Sequence, residues 1–146
     1  MALVGLMQTL SIEGERHGIR VNCLAPTAAT RMTEGILPPA LLAAMEPAAV
    51  SPAMLVLAGE QAPNRSILCA GAGSFEAAHI TLTQGLHLGH GPSVPEQLAE
   101  QLPTVCAREG ESVPQSGAEQ GQRELQKSMA GSSVQKTSSS PPHAPI

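Results

Sequence analysis

His87 and His90 stand three residues apart in Leu86-His87-Leu88-Gly89-His90, a spacing at which two imidazoles can share a metal ion. A protein zinc site needs at least a third ligand, and no further Cys, His or acidic residue stands at useful spacing. The pair therefore reads as ordinary histidines, and no metal site is expected. Gly71-Ala72-Gly73 follows an apolar run and suggests the opening of a phosphate-cradling dinucleotide loop. Its third glycine position is occupied by Glu76 and no strand–helix–strand unit follows, which leaves a tight turn. Ser11 and Ser74 would need a base and an orienting acid to act as nucleophiles. Neither lies in a G-x-S-x-G context, and the chain contains no Asp.

The absences restrict the chemistry further. There is no Tyr, Trp or Asp, the single Phe is Phe75, and the only lysines are Lys127 and Lys136. A mechanism built on a phenol, on an Asp–His pair or on a lysine amine in the main folded part is excluded. Cys23, Cys69 and Cys106 lie far apart with no C-x-x-C pair, the usage of a reducing compartment. They are expected to serve as buried small hydrophobes. The net charge is −4 and the basic residues are scattered, so no nucleic-acid footprint exists. Met1 to Leu10 is apolar, but it falls short of the roughly 20 residues that span a bilayer and has no basic leader pattern. These features predict a soluble intracellular protein without a membrane partner; cytoplasm, peroxisome and mitochondrion are all compatible.

The elements that would position any site follow from periodicity. Leu3, Leu6, Met7 and Leu10, widened by Val4 and Ile12, recur at helical spacing and predict a helix from Met1 to about Gly14. Ile19 to Ala25 alternates and is β-branched at its start, predicting a strand stopped by Pro26. Thr27 to Glu34 is small and polar, a loop. Pro38-Pro39 opens a short helix through Met45, and Ser51-Pro52 predicts a second, with Ser51 as its N-cap and an end near Glu60. Ser66 to Ala70 is a second apolar strand, and Ile80–Thr83 with Leu86–Leu88 suggests a hairpin about Gln84-Gly85. Helices are expected over 95–105 and 118–129, and a Ser/Thr/Pro/Gly tail from about residue 130 should be disordered. Helix, strand, helix, helix, strand is an α/β order with parallel pairing, yet two parallel strands alone leave an unpaired edge and an uncovered face.

The run MALVGLMQTLSIEGERHGIRVNCLAPTAATRMT, from Met1 to Thr33, resembles the segment after the catalytic Tyr-x-x-x-Lys of short-chain dehydrogenases/reductases. The matching positions are Gly5, Leu6, Leu10, Glu13, Gly18, Ile19, Arg20, Val21, Asn22 and Pro26. Leu55 to Ala62 followed by a strand at Ile67 resembles the family's last helix and last sheet strand. Thr30-Arg31-Met32-Thr33, the Cys69–Gly73 segment and Glu119-Gln120 most resemble the branch of (3R)-hydroxyacyl-CoA dehydrogenases. The likeness is strong to about Gly89, weaker to Met129 and absent beyond. It implies the C-terminal portion of a Rossmann-type, doubly wound parallel sheet over residues 1–89, a partly helical extension over 90–129 and a tail over 130–146.

The same resemblance implies an NAD(P)-dependent oxidoreductase of hydroxyl or carbonyl substrates, with 3-hydroxyacyl-CoA a candidate. The family's nucleotide loop, its catalytic residues and its first five strands would lie upstream of Met1. Hydride transfer with a Tyr as proton donor cannot occur in a chain without Tyr. No catalytic residue and no cofactor bound by this chain alone is therefore expected, NAD or NADP belonging to the complete fold. Thr27, Ala28 and Thr30 match the family loop that lies against the nicotinamide, although Pro26-Thr27 departs from the common Pro-Gly. The first helix follows the family's active-site Lys. Its Val4, Leu6, Met7 and Leu10 imply pairing with a second copy or with a full-length relative. The alternative reading is a non-catalytic association module derived from the family.

Overall fold

The computed structural model describes residues 1–137, with side chains up to Ala130. They fall into two compact units, divided between His79 and Ile80. The tail expectation beyond Thr137 lies outside the described residues.

The first unit begins with α1, Ala2–Glu15. Gly18, at φ 68°, lets the chain reverse in the left-handed region. There Gly18 N–H donates to the Glu15 carbonyl (3.0 Å) and Ile19 N–H to the Gly14 carbonyl (3.1 Å), which closes the helix. The chain then runs through β1 (Cys23–Thr27), α2 (Pro39–Ala44), a 3-10 turn (Pro47–Val50), α3 (Ser51–Ala58), β2 (Ile67–Gly71) and β3 (Ser74–Ala78). β1 and β2 are parallel, with Cys23 opposite Ile67 and Thr27 opposite Gly71. β3 returns antiparallel to β2, giving the order β1-β2-β3. The α/β character and the parallel crossover agree with the sequence expectation; the sheet is small and mixed.

Three boundaries differ from the sequence reading. The first strand starts later and runs through Pro26, because Pro26 sits where it costs no ladder bond. Cys23 N–H donates to the Ser66 carbonyl (2.8 Å), so residues 23, 25 and 27 face β2 while Leu24 and Pro26 face the opposite edge. Ser51 is not an N-cap. The 3-10 turn opened by Pro47 feeds straight into α3, so Ser51 already has helical angles (φ −54°, ψ −38°) and makes no capping bond. The expected hairpin over 80–88 does not form. Leu82 instead exchanges backbone bonds of 2.9 and 3.0 Å with Ser112, and the hairpin of the sheet is β2–β3.

That hairpin turns on Ala72 (φ 49°) and Gly73 (φ 76°), both left-handed, the geometry of a two-residue turn matched to strand twist. Gly71-Ala72-Gly73 is thus a hairpin turn leading into a strand. β3 escaped the sequence reading because all five of its residues are exposed, so burial imposes no alternation.

The core is thin. Val50, Ala53 and Ala70 form it, with Leu24, Ala28 and Leu68 packed alongside. Met7, 2% exposed, docks α1 on the rest of the unit. A fully buried Met of this kind contributes about 1.5–3 kcal/mol. The remaining apolar positions of α1 and α3 stay open, including Leu3 (74% exposed), Leu6 (53%), Leu55 (74%) and Val56 (60%). Cys23 and Cys69 are half-buried and Cys106 is exposed at the end of the fourth helix, so the expectation of three buried thiols fails at Cys106.

The second unit holds α4 (Val94–Val105) and α5 (Glu119–Thr137), joined to the irregular 80–93 segment through the Leu82–Ser112 bridge. α5 extends past Met129, the end expected from sequence, to Thr137. No helix among the described residues is long and apolar enough to cross a membrane.

Candidate functional site at the strand ends

β1 and β2 finish together at Thr27 and Gly71, so their carboxyl ends lie on one side of the sheet. In open α/β sheets this is the side on which ligands bind. Gly71 is required there. A Cβ at Gly71 would lie 2.8 Å from the Thr27 carbonyl oxygen and 2.9 Å from the Thr27 Cβ, closer than real Cβ atoms approach. The bare backbone of Gly71 thus lets Thr27 keep its place as the last residue of β1.

Beyond Thr27 the chain is pinned at successive points. Ala28 is half-buried against the Val50–Ala53–Ala70 core. Ala29 N–H donates to the Met45 carbonyl (2.7 Å), tying the loop to the end of α2. Thr30 and Thr33 then close a local turn. Thr30 N–H donates to Thr33 Oγ1 and that hydroxyl donates to the Thr30 carbonyl, both at 2.8 Å. Met32 N–H donates to Thr30 Oγ1 (3.2 Å), which occupies an acceptor site of that hydroxyl and leaves its proton for another group.

Of the three residues singled out from sequence, Thr27 and Thr30 are exposed and Ala28 is packed inward. The loop offers hydroxyls and backbone groups that can bind and orient a polar ligand. The role of Thr33 as the partner that shapes Thr30 was legible in the Thr-x-x-Thr spacing, a side-chain-to-backbone turn signal. The anchoring of Ala29 on Met45 was not, since it depends on where α2 lands.

His87 and His90 are exposed on the 80–93 segment, and no three His, Cys, Asp or Glu side chains gather into a possible metal site among the described residues. The resolved shifts of ionisation, at Arg108 and Glu111, lie in the second unit. The hydrogen bond from Arg108 holds the Glu111 carboxyl below the usual range, against a smaller opposing effect of desolvation, and Thr81 adds a 3.1 Å bond.

No protein-family model matches the chain. Individual proteins do. A short-chain type dehydrogenase/reductase of Mycobacterium tuberculosis is 38% identical over 119 residues, spanning 81% of this chain and 39% of that protein. The peroxisomal multifunctional enzyme type 2 of mouse is 33% identical over 118 residues, 79% of this chain and 16% of the enzyme. This chain is a homologue of the short-chain dehydrogenases/reductases. The full-length peroxisomal multifunctional enzyme type 2 of Drosophila melanogaster superposes with a TM-score of 0.69 at 26% identity, over 85% of this chain and 23% of that one. The chain therefore spans well under half the length of these dehydrogenase relatives. The homology extends to the dehydrogenase region of the multifunctional enzymes, and the relatives include peroxisomal proteins.

Proposed function

We propose that this chain is the C-terminal portion of an NAD(P)-dependent short-chain oxidoreductase acting on a hydroxyl or carbonyl substrate, with 3-hydroxyacyl-CoA as the candidate class. The observation that carries this reading is the loop of Thr27, Ala28 and Thr30 held at the carboxyl ends of two parallel strands. Its exposed hydroxyls suit the carboxamide of a nicotinamide, and the Thr30 hydroxyl, accepting from Met32 N–H, keeps its proton to donate. When bound, the nicotinamide gives or takes the hydride. The residues of this chain would bind and orient its carboxamide. The Tyr that moves the proton in the family has no counterpart here. On this reading the chain is not catalytic alone, and the choice between NAD and NADP rests on residues outside it.

The test is the natural transcript, read in frame upstream of Met1. A Tyr-x-x-x-Lys followed directly by this sequence supports the oxidoreductase. Translation beginning at Met1 overturns it for this chain.

A second reading, a non-catalytic association module, is favoured by α1. Leu3, Leu6 and Leu10 are 74%, 53% and 41% exposed, and Val4 is half-buried. Met7 is committed to the core of its own unit. Leu6 and Leu10 would pair with a second copy or with a full-length relative. Sedimentation of the purified chain tests this: a defined oligomer lost on Leu6→Gln/Leu10→Gln supports it, and a monomer overturns it.

A further inference from the structure

We propose that the cleft between α5 and the Leu82–Ser112 bridge, within the second unit, binds a small oxyanion, a phosphate group being the class that fits. The cleft has a volume of about 330 Å³, and its lining includes Thr83, Gln84, Gly110, Ser112, Arg123 and Lys127. Its charge balance points to the ligand. Arg123 is spoken for: it pairs with the Glu119 carboxylate one turn earlier and donates to Ser112 Oγ at 2.7 Å. Lys127 follows one turn later on the same face of α5, half-buried, and makes no ion pair among the described residues. A cation without a counter-charge among the described residues is available to form charge-assisted hydrogen bonds with an anion drawn into the cleft.

The neutral groups favour an oxyanion that accepts from several directions. Ser112 Oγ accepts from Arg123, so its proton is left to give from the bridge side. The Gln126 amide and the Lys127 ammonium line the helix side and can donate to a ligand. Thr83 and Gln84 donate to the Val105 and Gly110 carbonyls and serve as fixed walls. Donors lining the cleft from both sides and a single cation unpaired among the described residues suit a tetrahedral phosphate better than a planar carboxylate, and they are too few for a polyanion. The cleft lies wholly in the second unit, so its fate is independent of the strand-end loop.

The experiment titrates inorganic phosphate into the full chain at constant ionic strength, following backbone amides by NMR. Saturable shifts are expected at Gly85, Gly110, Ser112 and Gln126. Lys127→Gln should weaken the affinity about tenfold, the loss of one charge-assisted contact, while Lys127→Arg should retain it. Three results would each overturn the site: chloride reproducing the shifts, Lys127→Gln binding as tightly as the parent, or Lys127→Arg behaving like Lys127→Gln. Acetate binding more tightly than phosphate would overturn the phosphate assignment.

Discussion

Asn22 and Asn64 brace the mouth of the parallel pair from opposite sides. Asn64 Oδ1 accepts from Val21 N–H at 2.9 Å, and Asn22 Nδ2 donates to the Pro63 carbonyl at 2.7 Å. Asn22 Oδ1 in turn accepts from Ser66 N–H at 3.0 Å, and Asn64 Nδ2 reaches the Ser11 carbonyl of α1 at 3.5 Å. Two amide side chains thus continue the strand ladder beyond its backbone register and stitch it to the first helix. The segment Ile19–Asn22, strand-like in sequence, is held by these side chains together with a backbone bond from Arg65 N–H to the Val21 carbonyl (3.0 Å).

Asn22→Ala removes two of those bonds at partly exposed sites. The expected loss is about 1–2 kcal/mol of unfolding free energy. Urea denaturation measures it, and the Ser66 amide should lose hydrogen-exchange protection ahead of β3. A variant as stable as the parent would show that water replaces both bonds at no cost.

Gly71→Ala should be worse than its size suggests. The added methyl meets backbone, at 2.8 Å from the Thr27 carbonyl oxygen, and backbone cannot rotate away. A loss of about 1–3 kcal/mol is expected, typical of overpacking. NMR should show the disturbance concentrated at Thr27 and Ala28. Shifts confined to the hairpin turn would contradict the close approach.

Ala72→Gly should do the reverse. Ala72 holds φ 49°, a conformation that costs a residue with a Cβ roughly 1–2 kcal/mol and glycine almost nothing. Part of the gain is returned as unfolded-state entropy. A modest rise in thermal midpoint is expected, and a fall would mean the turn is not strained.

In the second unit, the Arg108 hydrogen bonds at 3.0 and 2.7 Å hold Glu111 ionised to lower pH than usual. A carboxyl whose pKa is lower folded than unfolded contributes stability above its unfolded pKa and loses it as pH falls through the folded value. The Glu111 carboxyl carbon, followed by NMR, should titrate below the ordinary glutamate range. In Arg108→Gln its midpoint should rise. An unchanged midpoint would remove Arg108 as the cause.

The sequence was most informative where local rules acted alone. α1, α2 and the second strand followed from apolar spacing and from prolines at helix starts. The Ile19–Ala25 run pointed to a strand because β-branching and alternation agree there, and the α/β order of elements pointed to parallel pairing. Tertiary context decided the rest. Pro26 reads as a strand stop unless one knows which edge its missing N–H faces. Ser51-Pro52 reads as a cap unless the turn from Pro47 is seen to run into it. β3 has no buried face and so no signature. At the strand ends, Thr27, Ala28 and Thr30 could be singled out through the family likeness; the bareness of Gly71 and the tie from Ala29 to Met45 needed the fold.

The orientation of Pro26 has a consequence for how copies of this chain behave at high concentration. Among the described residues β1 pairs on one side only, and a free strand edge is a template on which another strand can add. Pro26 breaks that template near its end, since an incoming strand finds no donor there. Stacking that propagates copy after copy through β1 is thereby discouraged, in a molecule whose exposed leucines would otherwise favour it. Wherever this edge remains open, strand addition along β1 is expected to fail at Pro26.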